Sequence, residues 1–279
     1  MFVPTGEIVA ARTGVGAFNV ITIEHAEAIV AGAESAGLPV ILQISENAVR
    51  FHHGRLGPIA AAARSIAESA TVPVALHLDH VESEDLLAEA ARHGFGSVMF
   101  DASKLAYADN VARTAAAVLA CHAQGLWVES ELGEVGGKDG AHAPGARTDP
   151  DEAAAYVAAT GVDALAVAVG SSHAMHTRTA RLDHALIARL SAAVPVPLVL
   201  HGSSGVPDDE LVAAVRGGMK KINIGTALNV AFTGAVRESL DGNATLVDPR
   251  RYLAPARTAM AETVAHALRL LAVTEATHA

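Results

Sequence analysis

Eight times along this chain a short apolar run gives way to an Ala-rich amphipathic stretch, and that alternation constrains the fold more than any single motif. Strands are predicted at residues 15–20, 40–45, 74–80, 97–101, 126–132, 164–170, 198–202 and 221–225. Between and after them, helices are predicted at 24–36, 58–70, 83–93, 108–123, 150–160, 183–193, 208–216 and 226–240. Regular strand–helix alternation of this length specifies a parallel α/β protein, and eight units specify a closed (β/α)8 TIM barrel rather than an open sheet. Glycines stand where helices should end (Gly37, Gly94, Gly125, Gly161, Gly217), supplying C-terminal caps. No linker or composition break interrupts the pattern, so residues 1–279 read as one domain. A turn-rich stretch after Asp241 leads to a further helix at 256–271, a C-terminal extension that either covers the barrel or reaches a neighbouring subunit. Two connections are long, 134–148 and 171–182, and the first, rich in glycine, is a candidate lid.

The composition narrows what such a barrel does. Hydrophobic residues make up 51% and charged residues 18%, enough apolar material for a large core. Thirty acids against 20 bases give a net charge of −10 with no basic run, which argues against nucleic acid as a partner. The single cysteine, Cys121, rules out an intramolecular disulfide and suits a reducing compartment. No apolar run approaches the roughly 18 residues that span a bilayer, and the start of the chain lacks a signal-peptide pattern. A cytoplasmic protein with no membrane partner is expected, assembled as a homodimer or homotetramer.

In a barrel, function collects at the carboxyl ends of the strands. The third strand, PVALHLDH, ends in Asp79-His80, and its period-2 alternation puts Ala75, His77 and Asp79 on one face. The fourth ends in Asp101, the fifth carries Glu129 and Glu131 on one face, the sixth runs into His173 and the seventh ends at His201. His80, His173 and His201 therefore finish three different strands and converge on one point, a set of imidazoles that suits a catalytic zinc with an open position. His77, in mid-strand, reads as an interior histidine or a partner of the site, and His52, His53, His93, His122, His184, His266 and His278 read as structural or surface groups. After the seventh and eighth strands, HGSSG and Asn223-Ile-Gly-Thr226 supply small residues whose N–H groups approach an anion, helped by the helix N-termini that follow.

These motifs resemble a known family, the class II, metal-dependent ketose-bisphosphate aldolases. AFNV, HLDH, SVMFDAS, VESELGEVGG, AVAVGSSH, LVLHGSSG, KINIGT and DPRRYLAPAR occur in the family's order and cover nearly the whole chain. The resemblance implies that His80, His173 and His201 hold Zn2+, that Asp79 is the general base, and that Asp101 and Glu131 offer an alternative or second divalent position. It implies substrate contacts at Asn19 and Ser45. It also implies a phosphate cradle at Gly202, Ser203, Ser204, Asn223, Gly225 and Thr226, with a monovalent cation, Na+ or K+, nearby. The implied reaction is reversible cleavage of a sugar phosphate, fructose-1,6-bisphosphate or tagatose-1,6-bisphosphate, to dihydroxyacetone phosphate and an aldehyde.

The chain departs from the family pattern in three places. Asp139 follows the lid glycines where the family usually has glutamate, and it is the expected acid that protonates C3, with Glu134 as the alternative. Ala174 replaces the usual glycine after His173 and crowds the phosphate. Gly225 stands where fructose-bisphosphate enzymes often carry a larger polar residue, which is nearer the tagatose type. In the tail, Arg250, Arg251 and Arg257 are candidates for a second phosphate. A Schiff-base mechanism is disfavoured: Lys104 and Lys138 lie in loops, and Lys220 and Lys221 are expected at the strand start, at the opposite end of the barrel. Two rival readings remain. One is a related aldolase acting on another ketose 1-phosphate; the other is a non-catalytic sugar-phosphate-binding barrel, motivated by the altered lid. A metal-dependent hydrolase is disfavoured because the first strand, VGAFNV, has no His-x-His pair.

Overall fold

A computed structural model describes residues 1–132, 146–173, 175 and 177–273. The eight strands are β1 (Val15–Asn19), β2 (Val40–Ser45), β3 (Val74–Val81), β4 (Ser97–Phe100), β5 (Trp127–Glu131), β6 (Ala164–Ala166), β7 (Leu198–Leu200) and β8 (Met219–Ile224). All pairs are parallel and β8 returns to β1, closing the expected barrel. The helices, in chain order, are α1 (Thr5–Ala10), α2 (Ile23–Ala36), α3 (Glu46–Phe51), α4 (Leu56–Ser69), α5 (Glu84–Glu89) and α6 (Tyr107–His122). They continue with α7 (Pro150–Thr160), α8 (His184–Ala193), α9 (Asp208–Arg216), α10 (Thr226–Asp241) and α11 (Pro249–Leu271). No described helix is long and apolar enough to cross a membrane.

Local chemistry explains most of these boundaries. Helix α7 opens with Asp149, whose carboxylate accepts from the backbone N–H groups of Asp151 and Glu152, has Pro150 in its first turn, and closes on Gly161 at φ 73°. Strands β6 and β7 are shorter than predicted: past Ala166 the backbone of Ala168 and Val169 bonds to Thr148 and Asp183 instead of the ladder, and Gly202 (φ 66°) turns the chain after Leu200. Helix α11 is longer than predicted. It begins at Pro249 behind an Asp248 cap, and Pro255 within it removes one backbone hydrogen bond without ending it. Helices α1 and α3 were not anticipated; α3 exists because Ser45, at the end of β2, caps it by accepting from Ala48 N–H. At the end of α9 the left-handed residue is Gly218, not the expected Gly217.

Alternation along the strands makes two packing layers. Leu42, Leu76, Leu78, Val98, Val128 and Leu198 face outward and join the large core between sheet and helices. Ala17, Ile41 and Ala75 face inward and form a small apolar floor with Ile8 and Val9 of α1. Above that floor the inward positions become polar: Gln43 pairs in register with His77, and Ser45 with Asp79. The C-terminal extension lies on the barrel's own helices, against α2, and Gly32 permits the approach. A Cβ there would come within 2.5 Å of the Ala261 carbonyl oxygen and 2.7 Å of Val264 Cβ.

Candidate active site

The carboxyl end of the barrel opens into a cavity of about 510 Å³. Its walls include Asn19, Ser45, Asp79, His80, His173, Gly202, Ser203, Ser204, Asn223, Gly225 and Thr226, so most of the residues singled out in the sequence share one space. His201, Asp101 and Glu131 lie just beneath it, buried. Ala174, Glu134, Asp139 and the candidate lid around them fall outside the described residues.

Backbone geometry brings the three histidines together. His80 sits inside β3 at φ 50°, in the left-handed region, where the ladder to β4 shifts register between Leu78 and Val81. A strained residue at a bulge re-aims one side chain, and here it turns the imidazole to the cavity. His173 is brought to His201 by Gly202, where a Cβ would meet the Ser172 carbonyl at 2.5 Å, and by Ser171, whose hydroxyl donates to His201 O at 2.6 Å. The ring centroids are 4.7 Å (His80–His201), 5.4 Å (His80–His173) and 5.7 Å (His173–His201) apart. One nitrogen of each ring lies within 4.8 Å of the others. Three imidazole nitrogens at that spacing, each freed of its proton as the metal binds, fit a zinc-type ion.

Carboxylates surround this cluster. Asp101 Oδ2 lies 3.1 Å from His80 Nδ1, while its Oδ1 accepts from Ser103 N–H and Oγ–H. His201 Nε2 is 2.9 Å from Glu129 Oε1, and its Nδ1 is 3.2 Å from Glu131 Oε2. Burial alone would lower the His201 pKa, but Glu129 and Glu131 outweigh it and raise it to about 9. Asp79 is 1% exposed, and its Oδ1 has no hydrogen-bond partner among the described residues. Burial would raise its pKa, yet the electrostatic influence of His80 and then of Lys221 holds it below the ordinary carboxylate value. His77 is fully buried and bound to Ser97 Oγ at 2.8 Å; burial, helped by Lys221, pushes it down to about 3, so it is neutral.

Opposite the histidines, the ends of β7 and β8 form the small-residue cradle. The Ser203 hydroxyl donates to Leu200 O and the Ser204 oxygen accepts from Ala227 N–H, which ties the β7 turn to the start of α10. Gly225 lies at the N-terminus of that helix. A Cβ at Gly225 would stand 3.0 Å from Asn19 Oδ1, the atom that accepts from Gln43 Nε2 at 2.7 Å.

One sequence-based expectation changes. Lys221 is not at the far end of the barrel. It is the third residue of β8, points inward and is fully buried, with Nζ 2.8 Å from both Glu129 Oε2 and Asn223 Oδ1. The tail arginines do not line the cavity within one chain: Arg250 pairs with Asp248 and Arg257 with Glu27. Among the described residues the cations on the cavity wall are Arg50 and Lys104, facing Glu46 and Glu82. Arg50 was missed because α3 was not anticipated; Lys221 was missed because its strand was started two residues late. The outlying histidines are satisfied elsewhere, His122 on Asp163, His184 on Glu210 and His266 on Asp208. His278 lies outside the described residues.

Comparison with known proteins identifies the family and supports the fold. The family profile described as "Fructose-bisphosphate aldolase class-II" matches residues 7–276. The chain is 39% identical over 284 residues to the fructose-bisphosphate aldolase of Thermus caldophilus, with 92% of each chain covered. It is 40% identical over 259 residues to the probable fructose-bisphosphate aldolase of Bacillus subtilis strain 168, covering 91% of this chain and 90% of that one. The crystal structure of the YdjI aldolase from Escherichia coli K12 superposes with a TM-score of 0.85 at 33% identity, over 97% of both chains.

Proposed function

This chain belongs to the class-II fructose-bisphosphate aldolase family, and on that premise we propose that it reversibly cleaves fructose-1,6-bisphosphate or tagatose-1,6-bisphosphate in a zinc-dependent reaction. The products are dihydroxyacetone phosphate and glyceraldehyde 3-phosphate. The observation that carries the reading is the convergence of His80, His173 and His201, with donor atoms within 4.8 Å of one another, beside the buried carboxylate of Asp79.

Zinc held by those imidazoles supplies Lewis-acid stabilisation of the negative charge that develops on the C2 oxygen when the C3–C4 bond breaks. Asp79, kept ionised by its neighbours, takes the C4 hydroxyl proton and returns it in the condensation direction. Asp101 orients His80, Glu129 holds His201, and Asp101 and Glu131 mark an alternative position for a divalent ion. Gly202, Ser203, Ser204, Asn223, Gly225 and Thr226 hold the phosphate of the dihydroxyacetone phosphate end, with a monovalent cation beside it, and Asn19 and Ser45 meet the substrate's oxygens. Asp139 is assigned as the acid that protonates C3, on the strength of the glycine-rich motif preceding it.

Chelation followed by a coupled assay for dihydroxyacetone phosphate release tests the reading. Activity should vanish on chelation and return with zinc, or with cobalt or manganese. Full activity after exhaustive chelation sinks the mechanism; two inert 1,6-bisphosphates in a panel of ketose phosphates sink the substrate. For the acid, Asp139→Asn should slow solvent-deuterium incorporation at C3 of dihydroxyacetone phosphate while leaving zinc content unchanged. Loss of exchange in Glu134→Gln alone transfers the role to Glu134.

A further inference from the structure

Lys221 is a fully buried ammonium in the middle of a barrel, an arrangement that costs several kcal/mol unless its charge is paired and hydrogen-bonded. Two acceptors answer it at 2.8 Å, Glu129 Oε2 and Asn223 Oδ1, and each leads to the site by a different route. Along the first, the remaining oxygen of Glu129 stands 2.9 Å from His201 Nε2. A carboxylate ion-paired to lysine is acceptor only, so His201 Nε2 must carry a hydrogen, and Nδ1, 3.2 Å from Glu131 Oε2, is the nitrogen that gives up its proton and offers a lone pair when a metal binds. Along the second, an ammonium has no lone pair, so Asn223 must turn its carbonyl oxygen to Lys221. Its amide nitrogen is buried, has no hydrogen-bond partner among the described residues, and belongs to a side chain on the cavity wall.

We propose that Lys221 is a positioning residue that sets two groups at once: through Glu129 it fixes the Nδ1-presenting tautomer of the metal ligand His201, and directly it fixes the amide of Asn223 as a donor toward bound substrate. The proposal rests on the metal reading of the three histidines. It also accounts for a lysine that takes no part as a nucleophile: its Nζ is engaged by two acceptors below the cavity rather than presented to it.

The test combines one measurement on the zinc-loaded wild type with two variants. Long-range proton–nitrogen NMR of histidine-labelled protein should show His201 protonated at Nε2 with a zinc-shifted Nδ1; the opposite tautomer overturns the proposal whether or not any variant folds. In Lys221→Met, zinc affinity measured by chelator competition should fall 10–100-fold, the usual effect of losing a partner behind a ligand. Dihydroxyacetone phosphate should bind the zinc-saturated variant about tenfold more weakly, the equivalent of one lost hydrogen bond. The double variant Glu129→Gln/Lys221→Met leaves no lone buried charge and guards against misfolding of the single one. Zinc affinity within twofold of wild type in either folded variant overturns the role of Lys221. A wild-type protein that takes up no zinc overturns the metal reading itself, a separate outcome.

Discussion

The two faces of the same strands differ sharply. Outward, Leu42, Leu76, Leu78, Val98 and Val128 meet the helices in a continuous apolar layer, whereas inward, at the same heights, the strands present Gln43, His77, Asp79, Glu129 and Lys221. The inner face is itself graded, from an apolar floor of Ala17, Ile41 and Ala75 to an ionised network just below the cavity. Burial of the outer layer stabilises the fold at roughly 25 cal/mol per Å² and asks nothing of geometry beyond packing. The inner network contributes little net stability, since buried ion pairs at best offset their desolvation, but it places charges where chemistry needs them. Stability and catalysis are thus assigned to opposite faces, one residue apart.

The first way to break this comparison is to remove an inner charge and look for an outer effect. Asp79→Ala should lower C3–C4 cleavage by roughly 10²–10⁴, the range for a general base, while zinc content and thermal stability stay near wild type. Steady-state turnover with metal analysis decides it. Near-normal turnover reassigns Asp79 to structure, and loss of zinc along with activity makes it part of the ligand set.

That face-by-face division also determines how much was legible in the sequence. The barrel, its strand order and the three histidines were readable because strand alternation and the position of a residue at a strand's end are local properties, and the topology then gathers those ends. Lys221 was not readable, because its direction depends on where β8 begins, and moving a start by two residues makes a mid-barrel side chain look like a floor residue. Arg50 was hidden by a six-residue helix whose cap, Ser45, doubles as the last residue of a strand. The early ends of β6 and β7 follow from contacts with distant segments, Thr148 at Ala168 and Ser172 at Gly202, which local pattern does not contain. The tail arginines were grouped by motif; within one chain Arg250 pairs with Asp248 and Arg257 with Glu27.

An outer-face substitution sharpens the comparison from the other side. Leu76 is fully buried between β3 and the helices, in the residue position just before His77. Leu76→Ala should destabilise the protein by about 2–5 kcal/mol through lost burial and the cavity left behind. In the fraction still folded, kcat and zinc affinity should be unchanged, since the side chain points away from the site. Denaturant titration beside an assay well below the transition separates the two quantities. A large fall in kcat at full folding would show that the outer layer tunes the inner one.

The smallest expected effect lies where the outer layer is itself polar. Glu210, near the start of α9, accepts from Leu182 N–H at 3.0 Å, pairs with Arg181 at 2.9 Å and with His184 at 2.9 Å, so it anchors the segment that leads from the His173 loop into α8. The Leu182 N–H, followed by Arg181, holds its carboxyl down at about 2, below its ordinary value of 4.5. A group whose folded pKa is depressed adds stability that is complete above its unfolded pKa and is lost as pH falls through the folded one. Glu210→Gln should therefore cost about 1–2 kcal/mol near neutrality, the low end for charged hydrogen bonds because Arg181 is largely solvated. The gap between wild type and variant should narrow from about pH 5 downward and close near pH 2. Denaturation midpoints of both proteins across that range check the sign. A gap that is constant with pH would mean that Glu210 acts by shape and neutral hydrogen bonding alone. A gap accompanied by a change in kcat would mean that this outer tie reaches the histidine loop and that the two faces are coupled at the rim.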